Sequence, residues 1–377
     1  MVKNRFLFLL VFIFAAVNSF AQDSIYARKI VDTLTTPFFW GRGYTNNGVQ
    51  KAAAFLNKEL QSFGLETITQ PYSFSVNTFP GVMNVEVNGK KLIPGIDYLV
   101  SPESKGIKAS GSCIEGNNKE FIDANNRVIF KLEEKLTWSV AQSAEDYTLI
   151  QVSNKSIANS IENYNVEIEQ KILKKSQNTN IVAISKGTQH PDSFLVLTAH
   201  YDHLGGMGSE TFFPGANDNA SGVALLLTLA KHYAKNPLPC SVAFILFSGE
   251  EAGLVGSKYF VDHPLLDLSK IKFLLNTDLA GTGDEGITVV NASEFSKQFV
   301  LLQSINEESK LLKVVNARGK AANSDHYHFT QKGVPSFFVY TLGGIKAYHD
   351  VFDKASTLPL NEQNDLFTLI TRFFKKI

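Results

Sequence analysis

Two short, unbroken apolar runs mark the middle of this chain, Phe194–Ala199 (FLVLTA) and Val242–Phe247 (VAFILF). Neither alternates with polar residues, the pattern of a strand covered on both faces. Ile271–Asn276 and Val334–Tyr340 read the same way. Between and around them the apolar period becomes helical. Val49–Phe63 carries Ala53, Phe55, Leu56 and Leu60 on one side and stops at Gly64. Ala220–Ala234, Phe295–Glu307 and Glu362–Lys375 repeat the pattern, the last through Leu366, Leu369, Ile370 and Phe373. Buried strands alternating with amphipathic helices predict a three-layer α/β/α sandwich around a central mixed sheet. Asn180–Ala183 is expected as a further strand beside Phe194–Ala199.

Residues 71–174 break this rhythm. VMNVEVNGKKLIPGIDYLV alternates in the β manner around an Asn-Gly turn, and Val128–Glu133 and Tyr147–Val152 read as short strands. A β-rich insertion or lid domain is therefore expected at 71–174, set into a catalytic domain formed by 22–70 and 175–377. The first residues have a different purpose. Val2-Lys3-Asn4-Arg5 is basic, Phe6–Val17 is apolar, and Ser19-Phe20-Ala21 offers a small-x-small cleavage site. That order predicts a signal peptide over 1–21. Its apolar core is shorter than the ~20 residues of a spanning helix. An exported protein, periplasmic or secreted and without a membrane anchor after cleavage, is the expectation.

Charge adds an exclusion. Lys plus Arg number 36 and Asp plus Glu 36, so no field draws the chain to nucleic acid or to anionic lipid. The two cysteines, Cys113 and Cys240, are compatible with a disulfide or with two thiols, and neither has metal-ligand spacing.

The chemistry collects where apolar elements stop. His200 and Asp202 follow the first run, Asp218 precedes the 220–234 helix, and Glu250 and Glu251 follow the second run. Asp278 follows the third, and His349 lies beyond the fourth. Functional residues of open α/β sheets gather beyond the carboxyl ends of the strands. A single His or Asp in such a place is usually a hydrogen-bonded loop residue. His200, Asp218, Glu251, Asp278 and His349 together are a metal-ligand set. Imidazole and carboxylate without thiolate suit catalytic zinc. Five ligands exceed the needs of one ion that also holds water, and suffice for two zinc ions if one carboxylate bridges. Asp218, between the other clusters, is the natural bridge. Glu250, adjacent to a ligand, is left to act as general base. His203, His232, His263 and His328 read as solvated or packing residues, and GRGYTNNG (41–48) as a turn.

The series H-x-D, G-A-N-D-N-A-S-G, E-E-A-G-L-x-G-S, N-x-D and Y-H-x-x-x-D resembles the exported zinc aminopeptidases of the bacterial leucyl aminopeptidase type. Their superfamily includes glutamate carboxypeptidases and glutaminyl cyclases. The resemblance covers about Thr35–Gln70 and Asn178 to the end. It implies that His200 and Asp278 hold one zinc, that Glu251 and His349 hold the other, and that Asp218 bridges. It further implies that Asp202 orients His200, that Asp353 does the same near His349, and that Tyr348 stabilises an oxyanion. Ser324-Asp325-His326 matches a segment bordering the substrate pocket. The implied activity is release of N-terminal residues from peptides with a free N-terminus. A cyclase-like transferase, a carboxypeptidase or dipeptidase, and a non-catalytic ectodomain are the alternatives. A carboxypeptidase would need arginines for a substrate carboxylate, and Arg318 and Arg372 are the late candidates.

Overall fold

The four apolar runs become neighbouring strands. The computed structural model describes residues 24–157 and 160–377, so the expected signal peptide lies outside the described residues. One eight-stranded sheet dominates. Its strands are β1 (Glu66–Thr78), β2 (Lys171–Ser185), β3 (His190–His200), β4 (Cys240–Phe247), β5 (Ile271–Thr277), β6 (Ile287–Val290), β7 (Val315–Ala317) and β8 (Ser336–Thr341). The spatial order is β1-β2-β4-β3-β5-β8-β6-β7. Parallel pairing links β4 to β3, β3 to β5 and β5 to β8, while β1, β2 and β6 run antiparallel to their neighbours at β2, β4 and β8. The sheet is mixed, as expected.

The helices are α1 (24–34), α2 (Gly48–Ser62), α3 (Gly222–Lys235), α4 (Val255–Asp262), α5 (Ser296–Ser309), α6 (His326–Gln331) and α7 (Gln363–Lys376). Successive side chains of a strand point to opposite faces, and the unbroken runs resolve accordingly. Val242, Phe244 and Leu246 join the core under α1, α2, α3, α5 and α7. Ala243, Ile245 and Phe247 join a smaller core with Phe260 of α4 and Phe329 of α6. Covering both faces explains why β4 is buried at every position.

One expectation is corrected. Asn180–Ala183 lies in β2, which pairs with β1 and β4 rather than with β3. Strand β4 is slotted between two strands that are consecutive in the chain. Apolar periodicity marks a buried strand but carries no signal for its partner.

Between β1 and β2 the chain builds a four-stranded and a five-stranded sheet. The hairpin Met83–Val87/Lys90–Leu92 turns at Asn88-Gly89, both at positive φ (51° and 80°). That is the conformation Asn-Gly favours in a two-residue turn. These sheets share an apolar core of their own, which also takes in Leu204, Met207 and Phe213 from the segment after β3. No helix among the described residues is long and apolar enough to cross a membrane.

Candidate metal centre and active site

Because β4, β3, β5 and β8 are mutually parallel, their carboxyl ends share one edge. His200 ends β3, Asp278 follows β5 directly, Glu250 and Glu251 lie just beyond β4, and His349 beyond β8. Asp218 arrives from the turn that leads into α3. The five residues expected as ligands meet.

His200 Nε2 lies 3.3 Å from Asp278 Oδ2 and 3.4 Å from Asp218 Oδ1. His349 Nε2 lies 3.0 Å from Asp218 Oδ2 and 3.3 Å from Glu251 Oε2. The two oxygens of Asp218 thus face two different imidazoles, one on each side. Four ligands around a tetrahedral zinc with bonds of about 2.0–2.1 Å are roughly 3.3–3.4 Å apart. Three of the four spacings match that edge length, and the His349–Asp218 spacing is a few tenths of an ångström shorter. Donor atoms of His200, Asp218 and Glu251 lie within 4.8 Å of one another, as do those of His200, Glu250 and Asp278. The five expected ligands fit zinc in type and spacing, and Glu250 lies within the same reach of His200 and Asp278.

Charge at this edge is strongly unbalanced. Burial would lower the His200 pKa, but the carboxylates of Asp278 and Glu250 outweigh it and hold the imidazole well above its ordinary value. His349 behaves alike: burial opposes, Glu251 and Asp218 prevail, and the ring is held up to about 9. Asp218 is driven the other way. Burial would raise it, yet the hydrogen bond from His349 and the charges of His203, His349 and His200 keep it well below the usual carboxylate range. Protons thus occupy the place of a cation, and a metal ion would displace them.

Glu250 is different in kind. Burial pushes its carboxyl well above the ordinary value, with Glu251, Asp325 and Asp278 adding to the effect against His200. Asp325, fully buried in the Ser324–His326 segment, is pushed by burial up to about 7. The carboxylate of Asp202 accepts from the Glu250 backbone N–H at 3.3 Å and from the Tyr44 hydroxyl at 2.8 Å. His200 Nδ1 faces the Asp202 carbonyl oxygen at 3.2 Å and its carboxylate at 3.8 Å. Asp202 therefore touches both His200 and the backbone of Glu250.

Asp353 is found elsewhere than expected. Its carboxylate accepts from the backbone N–H groups of Asn217 at 2.8 Å and Asp218 at 3.0 Å, so it fixes the Asp218 turn. At His349 the Nδ1 position is taken by the carbonyl of Trp138, at 2.9 Å. Tyr348 stacks on His349, with ring centroids 4.0 Å apart, and is 44% exposed. A cleft of about 300 Å³ opens from the cluster, walled by Leu279, Arg318, Asn323, Phe338, Tyr340 and Tyr348. Arg318 donates to the Tyr340 hydroxyl at 3.2 Å, whereas Arg372, on α7, donates to Ser309 of α5.

Sequence reasoning passed over three residues here. His203 is fully buried, with Nδ1 2.7 Å from Glu251 Oε1. Arg42, in the supposed turn, is also fully buried and donates to the carbonyls of Leu34, Tyr201, Pro214, Gly215 and Asp218. Burial lowers its pKa to about 10, and the nearby carboxylates limit the fall. Tyr44 completes the set through Asp202. Backbone contact makes the glycine beside Arg42 necessary: a Cβ on Gly43 would sit 2.1 Å from Gly205 Cα. A cation among glycines was the one available signal. Cys113 and Cys240 are both free.

Peptidase family M28 matches residues 180–373, which takes in every ligand candidate. The chain belongs to peptidase family M28. An aminopeptidase of Bacillus subtilis, YwaD, is 32% identical over 174 residues, 45% of this chain and 37% of that protein. The chain thus aligns with little more than a third of that relative's length. Among solved structures, a zinc aminopeptidase from Bacillus subtilis has a TM-score of 0.73 at 16% identity, covering 93% of this chain and 94% of that one. A peptidase M28 precursor from Shewanella amazonensis also has a TM-score of 0.73, at 15% identity, covering 96% and 95%. The likeness in fold extends over the small sheets as well as the large one.

Proposed function

We propose that this protein is a zinc-dependent aminopeptidase that removes N-terminal residues from peptides. The observation that carries the reading is Asp218, whose two carboxylate oxygens face different imidazoles, Oδ1 at His200 and Oδ2 at His349, as a carboxylate shared between two ions can. His200 and Asp278 would hold one zinc, Glu251 and His349 the other, with Asp218 common to both. When bound, the zinc pair would polarise a scissile carbonyl and lower the pKa of the attacking water.

The chain's own groups divide the remaining work. Glu250 takes a proton from the water at its carboxylate and gives it to the departing amine. Asp202 keeps Glu250 and His200 in register. The Tyr348 hydroxyl, on the cleft wall, donates to the oxyanion. A cleft of about 300 Å³ suits one terminal residue with its side chain. The β-rich stretch between β1 and β2 is then an insertion beside the cleft, and the leader-like residues 1–21 direct export.

Zinc-loaded protein beginning at Gln22 is offered the same peptide with a free and with an acetylated N-terminus, and products are followed by mass. Loss of single residues from the free peptide alone is the expected result. Equal cleavage of both, or trimming from the other end, overturns it in favour of an endopeptidase or carboxypeptidase. Loss of ammonia from an N-terminal Gln without cleavage would mark a cyclase.

A further inference from the structure

Within the five-stranded sheet, Val128–Glu133 and Thr148–Ser153 pair in parallel. Parallel neighbours cannot be joined by a tight turn; they need a crossover of a dozen or more residues, usually helical. Here the crossover, 134–147, has no regular structure. Irregular connections of this length are uncommon in compact domains unless they serve a function. This one leaves its own sheet and lies along the loops that bear two of the ligands.

Its contacts are specific. Trp138 and His349 are joined twice, by the Trp138 N–H donating to the His349 carbonyl at 2.9 Å and by the Trp138 carbonyl against His349 Nδ1 at 2.9 Å. Lys135 reaches Asp350 at 3.6 Å and the Lys346 carbonyl at 3.0 Å. The Gln142 side chain donates to the carbonyl of Ala252, the residue after Glu251, at 2.8 Å. The tryptophan itself is an anchor. It is 5% exposed, stacks on Phe213 at 4.7 Å, and its indole N–H donates to the Val100 carbonyl at 2.7 Å.

We propose that this crossover is a strap belonging to the metal centre, and that Trp138 is the positioning residue for His349. The inference rests on His349 being a zinc ligand. A carbonyl accepting from Nδ1–H keeps the ring proton on Nδ1 and leaves the Nε2 lone pair, which faces Asp218 and Glu251, for the metal. Zinc binding and docking of the strap are then coupled: each favours the other by the same factor. The insertion is part of the site rather than a cover over it.

The test uses the chain's two tryptophans, Trp40 and Trp138. In a Trp40→Phe protein, emission comes from Trp138 alone, and zinc is titrated into the metal-free form. The expected result is a saturable change in emission that disappears in Trp40→Phe/His349→Ala. In parallel, Trp138→Ala is expected to keep one zinc and bind the second about 10–100-fold more weakly, the usual cost of losing a group that orients a ligand. Trp138→Phe, which keeps the stacked ring and loses only the bond to Val100, should show a smaller loss of the same kind, and serves alone if the alanine variant does not fold. Emission blind to zinc, together with wild-type affinity for both ions in the Trp138 variants, overturns the strap. Unchanged zinc binding in His349→Ala overturns the ligand assignment as well, so the two failures are told apart.

Discussion

The two halves of the proposed metal centre are built differently. His200 and Asp278 stand at the ends of β3 and β5, adjacent parallel strands whose backbone pairing (Thr198 with Asn276) sets their separation. Their side chains are 2% and 10% exposed. Glu251 and His349 stand on loops past β4 and β8, and His349 takes a left-handed φ of 54° with its side chain 14% exposed. What holds this half is a set of cross-links from elsewhere: His203 on Glu251, and the strap through Trp138, Lys135 and Gln142. One half follows from the sheet itself. The other depends on contacts with a separate part of the chain, and a group held that way is freed when those contacts open locally.

The largest effect expected is one that leaves both halves intact. Under the proposed assignment Glu250 holds neither zinc, so Glu250→Gln should keep both ions by metal analysis while turnover falls about 10²–10⁴-fold, the usual contribution of a general base. Near-normal turnover would reassign the base. Loss of zinc would make Glu250 a ligand.

Stepwise chelation addresses the comparison directly. The loop-borne half should give up its ion first, so partly chelated wild type should resemble His349→Ala, with one zinc left. A His200→Ala protein should instead lose the better-held ion, and its remaining affinity should be the weaker of the two. If chelation removed both ions in one step, the halves would be equivalent and the contrast between sheet and loop would have no thermodynamic weight.

Proton linkage gives a smaller signal. In the metal-free protein His349 is held up to about 9 by Glu251 and Asp218 against burial, and burial raises Asp353 to about 6. Both groups bind protons in the folded state that the unfolded chain releases, so stability declines as pH rises. For Asp353 the decline runs from the ordinary value of 3.8 to about 6. For His349 a favourable contribution, full below 6.5, is lost as pH passes about 9. Zinc competes with the proton at His349, so the rise in Tm on adding zinc should grow between pH 6.5 and 9. A zinc-induced shift flat over that window would remove His349 from the ligand set.

The same contrast separates what could be read in the sequence from what could not. His200 and Asp278 abut unbroken apolar runs, and Asp218 precedes a helix, so their places follow from periodicity. Most of the helices were legible for the same reason, whereas strand pairing was not. The support of the other half was not. Trp138 and His349 lie 211 positions apart and meet through backbone atoms, which every residue possesses and no residue type advertises. His203 differs from the surface histidines only in where the segment after β3 turns. Arg42 sits in a stretch rich in Gly and Asn, and five carbonyls gather around it only after the chain has folded. Asp353 was expected at His349 from the family resemblance, and its carboxylate instead accepts from the Asn217 and Asp218 backbone.

Tyr348 offers the last and smallest test. A donor in a buried oxyanion hole is worth about 10²–10³ in turnover, because water is excluded and the low local dielectric strengthens the bond. Tyr348 is 44% exposed, so water can replace part of what its hydroxyl supplies. Tyr348→Phe keeps the ring stacked on His349 and should lower kcat by roughly tenfold with KM little changed, the mark of a bond made only in the transition state. A rise in KM with kcat intact would instead make the hydroxyl a part of the substrate-binding wall. A loss as large as that of Glu250→Gln would mean that the cleft closes over bound substrate, taking Tyr348 out of water when the oxyanion forms.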